Sequence, residues 1–262
     1  MSGESKTEDH RAPHTPLLWL RSIAVHLTVW TLVAVFGTTA IVLSPFTKGA
    51  IVFFLGRIWG WCIMKVAGVT FEVEGIENLL EETTQVIVGN HSSNFDIYVM
   101  LFILHRRYFR IVCKKQLVYI PIFGWALWVS GFPFLDRSNP RRAQATMEKT
   151  AALMKRTGMS ILAFPEGTRN VGPGLMRFKK GPFVLALEAG APIVPFAIYG
   201  AREVQSRHSF WVHPGRIRVS VLPRVGVDNL TYKDRDALIK TVRDSIEKRL
   251  AEIDAEAAGK TP

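Results

Sequence analysis

Residues 22–46 carry no formal charge, and this run constrains the fold more than any other feature of the chain. A helix of that length reaches across the ~30 Å hydrocarbon core of a bilayer, and so long an uncharged run is foreign to most soluble cores. A second apolar stretch, residues 50–69, is broken by Arg57 and Lys65 and carries Phe53, Phe54, Trp59 and Trp61. Aromatics and cations on an apolar helix describe an interfacial segment, or one whose charges snorkel toward water. Between the two, Ser44-Pro45-Phe46-Thr47-Lys48-Gly49 predicts a turn, because proline has no N–H to give a helix interior. Two arrangements fit: a spanning or re-entrant hairpin, or two helices lying partly embedded in one leaflet. In both, the chain from Phe71 onward is back on the side where it began. Residues 1–16 are polar and expected to be disordered. They do not read as a signal peptide, because Glu4, Glu8 and Asp9 precede the apolar run and no small-residue cleavage site follows it. Lys6, Arg11 and Arg21 predict a cytoplasmic N-terminus.

Beyond residue 69 the pattern changes. Apolar runs at residues 71–74, 85–89, 110–113, 132–135, 160–164, 193–199 and 216–221 have the length of strands. Stretches at 97–105, 141–157, 183–189 and 233–254 have the length and patterning of helices. Their alternation predicts one α/β domain over residues 70–254, a single mixed, largely parallel sheet flanked by helices. A membrane-associated helical hairpin at residues 17–69 precedes it, and a frayed tail at 255–262 follows. A chain of 262 residues is long enough for one substantial core and such an appendage.

The formal net charge of +11 points to an anionic partner: nucleic acid, a membrane surface or a phosphorylated substrate. No nucleic-acid role is expected, because the charge attends a membrane-seeking chain rather than a basic soluble domain with a reading helix. Cys62 and Cys113 stand in apolar surroundings and make no disulfide framework. Cys62 and Cys113 are too far apart to form the Cys-x2–4-Cys half of a zinc site, so no metal and no cofactor is expected.

Three strand ends carry chemistry. The run ending at Gly89 leads into Asn90-His91-Ser92-Ser93-Asn94-Phe95-Asp96. On a continuous helix His91 and Asp96 would stand about 140° apart around the axis and could not touch. They meet only if the chain turns at Ser92, Ser93 and Asn94, residues suited to turns and helix caps. Asp96 would then sit in the first turn of the next helix and hold one imidazole nitrogen, as in a general base with its orienter. A second strand end offers Asp136 and Arg137, and a third Glu166 and Arg169 after Pro165. Lys114, Lys115, Lys179 and Lys180 lie near these ends in sequence, and arginines at a strand-end crevice suit bidentate capture of phosphate. Each pattern also has a plainer use: a helix acid at Asp96, turn-closing ion pairs at Asp136-Arg137 and Glu166…Arg169, a solvated helix start at Lys179-Lys180. Trp125 and Trp128 read as packing or membrane-contact residues.

Taken together, these residues resemble the glycerolipid acyltransferases, and most closely the bacterial 1-acyl-glycerol-3-phosphate acyltransferases. The first motif, Asn-His-x4-Asp, is Asn90-His91 to Asp96. The second is Gly131-Phe132-Pro133-Phe134-Leu135-Asp136-Arg137, and the third Phe164-Pro165-Glu166-Gly167-Thr168-Arg169. A fourth is Ala191-Pro192-Ile193-Val194-Pro195-Phe196, and a lysine element is Lys114-Lys115-Gln116-Leu117, with Gln116 where the family usually has Glu. The resemblance implies transfer of an acyl group from acyl-CoA or acyl carrier protein to the hydroxyl of lysophosphatidic acid, giving phosphatidic acid. It implies His91 as base, Asp96 as its orienter, and Arg137, Arg169 and Lys114 as phosphate ligands. Gly167 and its neighbour Thr168 would bring backbone N–H groups to the phosphate, and Glu166 would orient an acceptor hydroxyl or an arginine. It also implies the inner membrane, with the catalytic domain on its cytoplasmic side. No Gly-x-Ser-x-Gly elbow is present and no cysteine adjoins His91, so direct attack without an acyl-enzyme is expected. The alternatives are acyl transfer to another lysolipid, transacylation from a phospholipid, and a non-catalytic lipid-binding protein.

Overall fold

The computed structural model describes residues 15–47, 49–79, 83–104 and 108–259. The first helix, α1 (Pro16–Leu32), begins where Thr15 Oγ1 accepts the Leu18 N–H at 3.3 Å. Pro16 takes the first turn, where a missing N–H costs nothing. Thr15 and Pro16 therefore belong to a helix end and not to the disordered stretch expected over residues 1–16, of which 1–14 lie outside the described residues.

α1 passes through one π-helical turn (Val33–Gly37) into α2 (Thr38–Thr47), so Pro45 lies inside a helix rather than in the expected turn. Thr47 Oγ1 donates to Leu43 O at 2.9 Å, and Gly49 N to Ser44 O at 3.0 Å. Reversal comes only at Gly49, at φ +78°, where a Cβ would stand 2.9 Å from Ser130 O. α3 (Ala50–Ala67) then returns alongside and is capped by Gly68 in the left-handed region. Both the Pro16–Thr47 stretch and α3 are long and apolar enough to cross a membrane.

The strands are β1 (Val69–Glu74), β2 (Val86–Gly89), β3 (Phe109–Ile111), β4 (Cys113–Lys114), β5 (Phe134–Leu135), β6 (Ser160–Ala163), β7 (Ile193–Tyr199) and β8 (Gly215–Val221). The remaining helices are α4 (Phe95–Ile103), α5 (Phe123–Val129), α6 (Pro140–Thr157), α7 (Gly181–Ala189), α8 (Ala201–Val204) and α9 (Arg235–Ala257). Six strands form one sheet ordered β1-β8-β7-β2-β6-β3, parallel except between β7 and β8. It is the mixed, largely parallel sheet with flanking helices that the alternation of runs predicts.

Both faces of the sheet are covered, which explains why its central strands read as unbroken apolar runs. Ile87 of β2 faces a cluster with Ile63 and Met64 of α3 and Phe95, Val99 and Met100 of α4. Its neighbours Val86 and Val88 point the other way, to Met147 and Met154 of α6, Phe183 and Leu185 of α7, and Val242 and Ile246 of α9. α3 is thus a wall of the α/β core as well as an apolar helix of the hairpin.

Two expected strands are redrawn. The run 110–113 divides: Val112 N still donates to Leu162 O at 3.1 Å, but Cys113 N donates to Pro133 O at 2.9 Å, so the ladder changes partner. The run 132–135 shrinks to β5, which pairs with β4 in a separate two-stranded sheet. Pro133 has no N–H and cannot continue a ladder on both sides. At the C-terminus α9 continues through Ala257, past the point where fraying is expected, because Glu256 accepts bonds from Arg218 at 2.7 Å and Arg249 at 3.1 Å.

Candidate active site

Gly89, at the end of β2, lies against the ring of Phe196 on β7; a Cβ there would fall 2.3 Å from the ring's Cε2. Asn90 continues the strand pairing with its side chain. Its Nδ2 donates to Ile198 O at 2.7 Å, and its Oδ1 accepts the Ile198 N–H at 2.8 Å. His91 therefore emerges at a fixed height above the carboxyl end of the sheet, where open α/β sheets bind ligands.

The chain then turns as its small polar residues predict, and Asp96 lies in the first turn of α4. Its Oδ2 stands 2.8 Å from His91 Nδ1 and accepts the N–H groups of Ser92 at 2.7 Å and Ser93 at 2.9 Å. A carboxylate accepting at Nδ1 assigns the ring proton there and leaves Nε2 with a free lone pair. The imidazole also stacks on Phe164, centroids 4.1 Å apart, and Phe164 meets Phe196 edge-on at 5.9 Å. Asp96 and Phe164 together hold the position of the ring.

The loop after β6 is bonded to this turn. Glu166, 2 % exposed, accepts the His91 N–H through Oε1 and the Met176 N–H through Oε2, both at 2.9 Å. Burial raises its carboxyl pKa, an effect the two backbone donors oppose. Glu166 is turned inward and holds the backbone of His91; the expected role of orienting an acceptor hydroxyl or an arginine does not match this geometry. Asn170 N donates to His91 O at 2.7 Å, completing the connection between the two loops. Gly167, at φ +79°, donates its N–H to Phe164 O at 3.0 Å, so that donor is not available to a phosphate as expected. Its carbonyl accepts from Arg137 Nη1 instead and aims that guanidinium.

Of the four lysines near the strand ends, Lys114 lines the cavity at the site. Lys115 pairs with Asp136 at 3.0 Å, and Lys180 with Asp236 at 3.4 Å. The Asp136 carboxyl is pulled down to about 2, first by the Ser138 hydroxyl and then by Lys115. Asp136 is thus a corner residue of β5, while its neighbour Arg137 faces the site.

A cavity of about 410 Å³ opens here between the N-terminal helices and the sheet. One end is polar: His91, Lys114, Arg137, Gly167, Thr168, Arg169 and Arg207. The rest is apolar, walled by Val33, Phe36 and Gly37 of the π-helical turn and by Phe53, Trp59, Leu101, Phe123 and Phe132. Burial lowers the guanidinium pKa of Arg137 and of Arg169, and the charge of Arg207 lowers Arg169 further. Among the described residues, none of Lys114, Arg137, Arg169 or Arg207 has a carboxylate in ion-pair contact. Cations gathered in one partly dehydrated place, with Asp96 acting on Arg169 only from beyond ion-pair distance, form a site for an anion. Arg207 has no counterpart among the residues expected from sequence; it stands alone in Gln205-Ser206-Arg207-His208-Ser209, where no spacing marks it. The bonding roles of Asn90 and Asn170 were equally invisible, since both depend on strands and loops distant in the chain.

Residues 70–199 match the family model described as Acyltransferase. The 1-acyl-sn-glycerol-3-phosphate acyltransferase of Haemophilus influenzae is 31% identical over 245 residues, spanning 92% of this chain and 99% of its own. The protein of the same name from Escherichia coli is 28% identical, over 92% of this chain and 97% of its own. The alpha form from Mus musculus is 33% identical over 73% of this chain and 67% of its own. Among solved structures, the 1-acyl-sn-glycerophosphate acyltransferase of Thermotoga maritima has the same fold, with a TM-score of 0.75 at 21% identity, covering 90% of this chain and 98% of that one.

Proposed function

The chain belongs to the acyltransferase family, and we propose that it transfers a fatty acyl group from a thioester to the sn-2 hydroxyl of 1-acyl-glycerol-3-phosphate, giving phosphatidic acid. The observation that carries this reading is the single cavity that joins an oriented histidine and unpaired cations to a long apolar wall. An amphiphile with a phosphate at one end and an acyl chain at the other matches it in charge and in shape.

In the reaction, Nε2 of His91 takes the acceptor's hydroxyl proton as that oxygen attacks the thioester carbonyl. Asp96 stabilises the resulting imidazolium through Nδ1–H. As the tetrahedral intermediate collapses, the C–S bond breaks and the leaving thiolate takes the proton from His91. Arg137, Arg169 and Lys114 hold the acceptor's phosphate, the two arginines by their fork geometry. Thr168 lines the same polar end. Both substrates are bound together and no acyl-enzyme forms. The net positive charge suits acyl-CoA and the acidic acyl carrier protein alike as donor. α1, α2 and α3 lie in the inner membrane, and the catalytic domain sits on its cytoplasmic face, where the acceptor rises from the leaflet.

The test is purified protein in lipid vesicles, assayed against a panel of lysolipid acceptors with acyl-CoA and with acyl carrier protein thioester. Thioester consumption that requires lysophosphatidic acid and yields phosphatidic acid is expected. Thioester hydrolysis without acceptor dependence, or transfer from a phospholipid with no thioester present, would overturn it.

A further inference from the structure

The cavity receives one cation from outside the sequence motifs, Arg207, and the structure gives it a firm mounting. Its loop is shaped from within: Ser209 N donates to Ser206 O at 3.2 Å, Gln205 Nε2 to Ser209 O at 3.2 Å, and Trp211 N to Ser209 Oγ at 3.0 Å. The same loop is seated on α1. Phe210 stacks on His26 with centroids 4.7 Å apart, Trp211 meets Trp19 edge-on at 4.5 Å, and Val212 N donates to the buried Ser22 Oγ at 3.0 Å. The loop's backbone is thereby fixed, and Arg207 lines the polar end of the cavity together with Arg169, near enough for its charge to act on that guanidinium.

Two guanidinium groups kept close together repel each other until an anion stands between them. The gain on binding is largest for a ligand with two negative charges. A phosphomonoester approaches that charge near neutral pH, its second pKa being about 6, whereas a phosphodiester headgroup carries only one. We propose that Arg207 is a specificity-determining binding residue, which together with Arg169 forms a two-arginine clamp selecting acceptors that bear a phosphomonoester over those that bear a phosphodiester. The inference rests on the acyl-transfer reading above and adds to it the residue that reads the acceptor's headgroup.

The experiment compares wild type, Arg207→Ala and Arg207→Lys in identical vesicles, using lysophosphatidic acid and lysophosphatidylglycerol as acceptors. Thermal protection by sn-glycerol 3-phosphate is followed in parallel as a readout independent of turnover. Loss of one charge-assisted pair predicts a rise of about 10- to 100-fold in the KM for lysophosphatidic acid in Arg207→Ala, with the thioester KM unchanged. The KM for lysophosphatidylglycerol rises less, so the preference for the monoester narrows. Arg207→Lys recovers part of the loss, because it restores the charge without the fork. Protection by sn-glycerol 3-phosphate weakens in Arg207→Ala. An unchanged acceptor KM and undiminished protection in that variant would overturn the proposal, as would a rise confined to the thioester KM. If wild type itself transfers nothing to lysophosphatidic acid, the acyl-transfer reading fails, and the protection measurement still decides whether Arg207 binds a phosphomonoester.

Discussion

At His91 three constraints meet on one side chain: Asp96 holds Nδ1, Phe164 lies against the ring face, and Glu166 holds the backbone N–H. His91→Ala removes the proposed base, while Asp96 keeps its bonds to Ser92 and Ser93. Turnover should fall about 10²- to 10⁴-fold while the thermal midpoint and vesicle association stay as in wild type; near-normal turnover would remove the base assignment. Asp96→Asn predicts a different signature. One oxygen now accepts from a ring nitrogen and two backbone donors, and an amide facing them brings its own N–H groups. Turnover should fall, and unfolding in urea should show a loss of about 1–3 kcal/mol that His91→Ala does not show. The local part of this arrangement was legible in sequence, because five positions separate His91 from Asp96 and the residues between them are turn formers. Glu166 was legible as a site residue but not in its role, since the N–H groups it accepts belong to His91 and Met176, which only the folded chain brings to it.

The elements align the residues through close contacts between neighbouring strands. Gly89 on β2, Phe196 on β7, Phe164 after β6 and the ring of His91 form a continuous stack above the sheet. Gly89→Ala would place a methyl group into Phe196, and overpacking of this kind costs about 1–3 kcal/mol. The expected result is a lowered thermal midpoint together with reduced turnover, as Phe196 pushes Phe164 against His91; a fully active, equally stable variant would contradict the stack. The β4–β5 corner makes a prediction in pH. Asp136 has a folded pKa of about 2, below the ordinary 3.8. A depressed carboxyl contributes stability in full above its ordinary value, and the contribution is lost as pH falls toward the folded value. Urea unfolding across acid pH should therefore show wild type ahead of Asp136→Asn near neutrality, with the difference closing as the medium approaches pH 2. Motif spacing marked Asp136 and Arg137 together. Tertiary pairing then separated them, Asp136 to Lys115 and Ser138, Arg137 to Gly167 and the cavity.

For the whole molecule, the N-terminal helices are not a detachable anchor. Ile63, Met64 and Ala67 of α3 belong to the core beneath α4, and Ser22 of α1 bonds the loop that carries Arg207. A chain truncated to begin at Val69 should bind a hydrophobic dye and aggregate on size-exclusion chromatography instead of behaving as a soluble catalytic domain; a monodisperse, folded product would show the hairpin to be separable. Large apolar side chains on the outside continue from the hairpin to the body, from Trp30, Phe46 and Phe54 to Tyr119 and Trp128. The α5 helix that bears Trp128 packs on α2. What the sequence determined by itself was local or periodic: uncharged runs for the membrane-seeking helices, strand-length runs for the sheet, and four motifs that identify the chemistry. Such signals survive in sequence because each depends on residues within a turn or a strand of one another. Tertiary structure alone decided that Glu166 faces inward and that Arg207 joins the cavity. Those outcomes depend on which carbonyls, N–H groups and charges arrive from distant parts of the chain, and only packing of the sheet against the N-terminal helices brings them together.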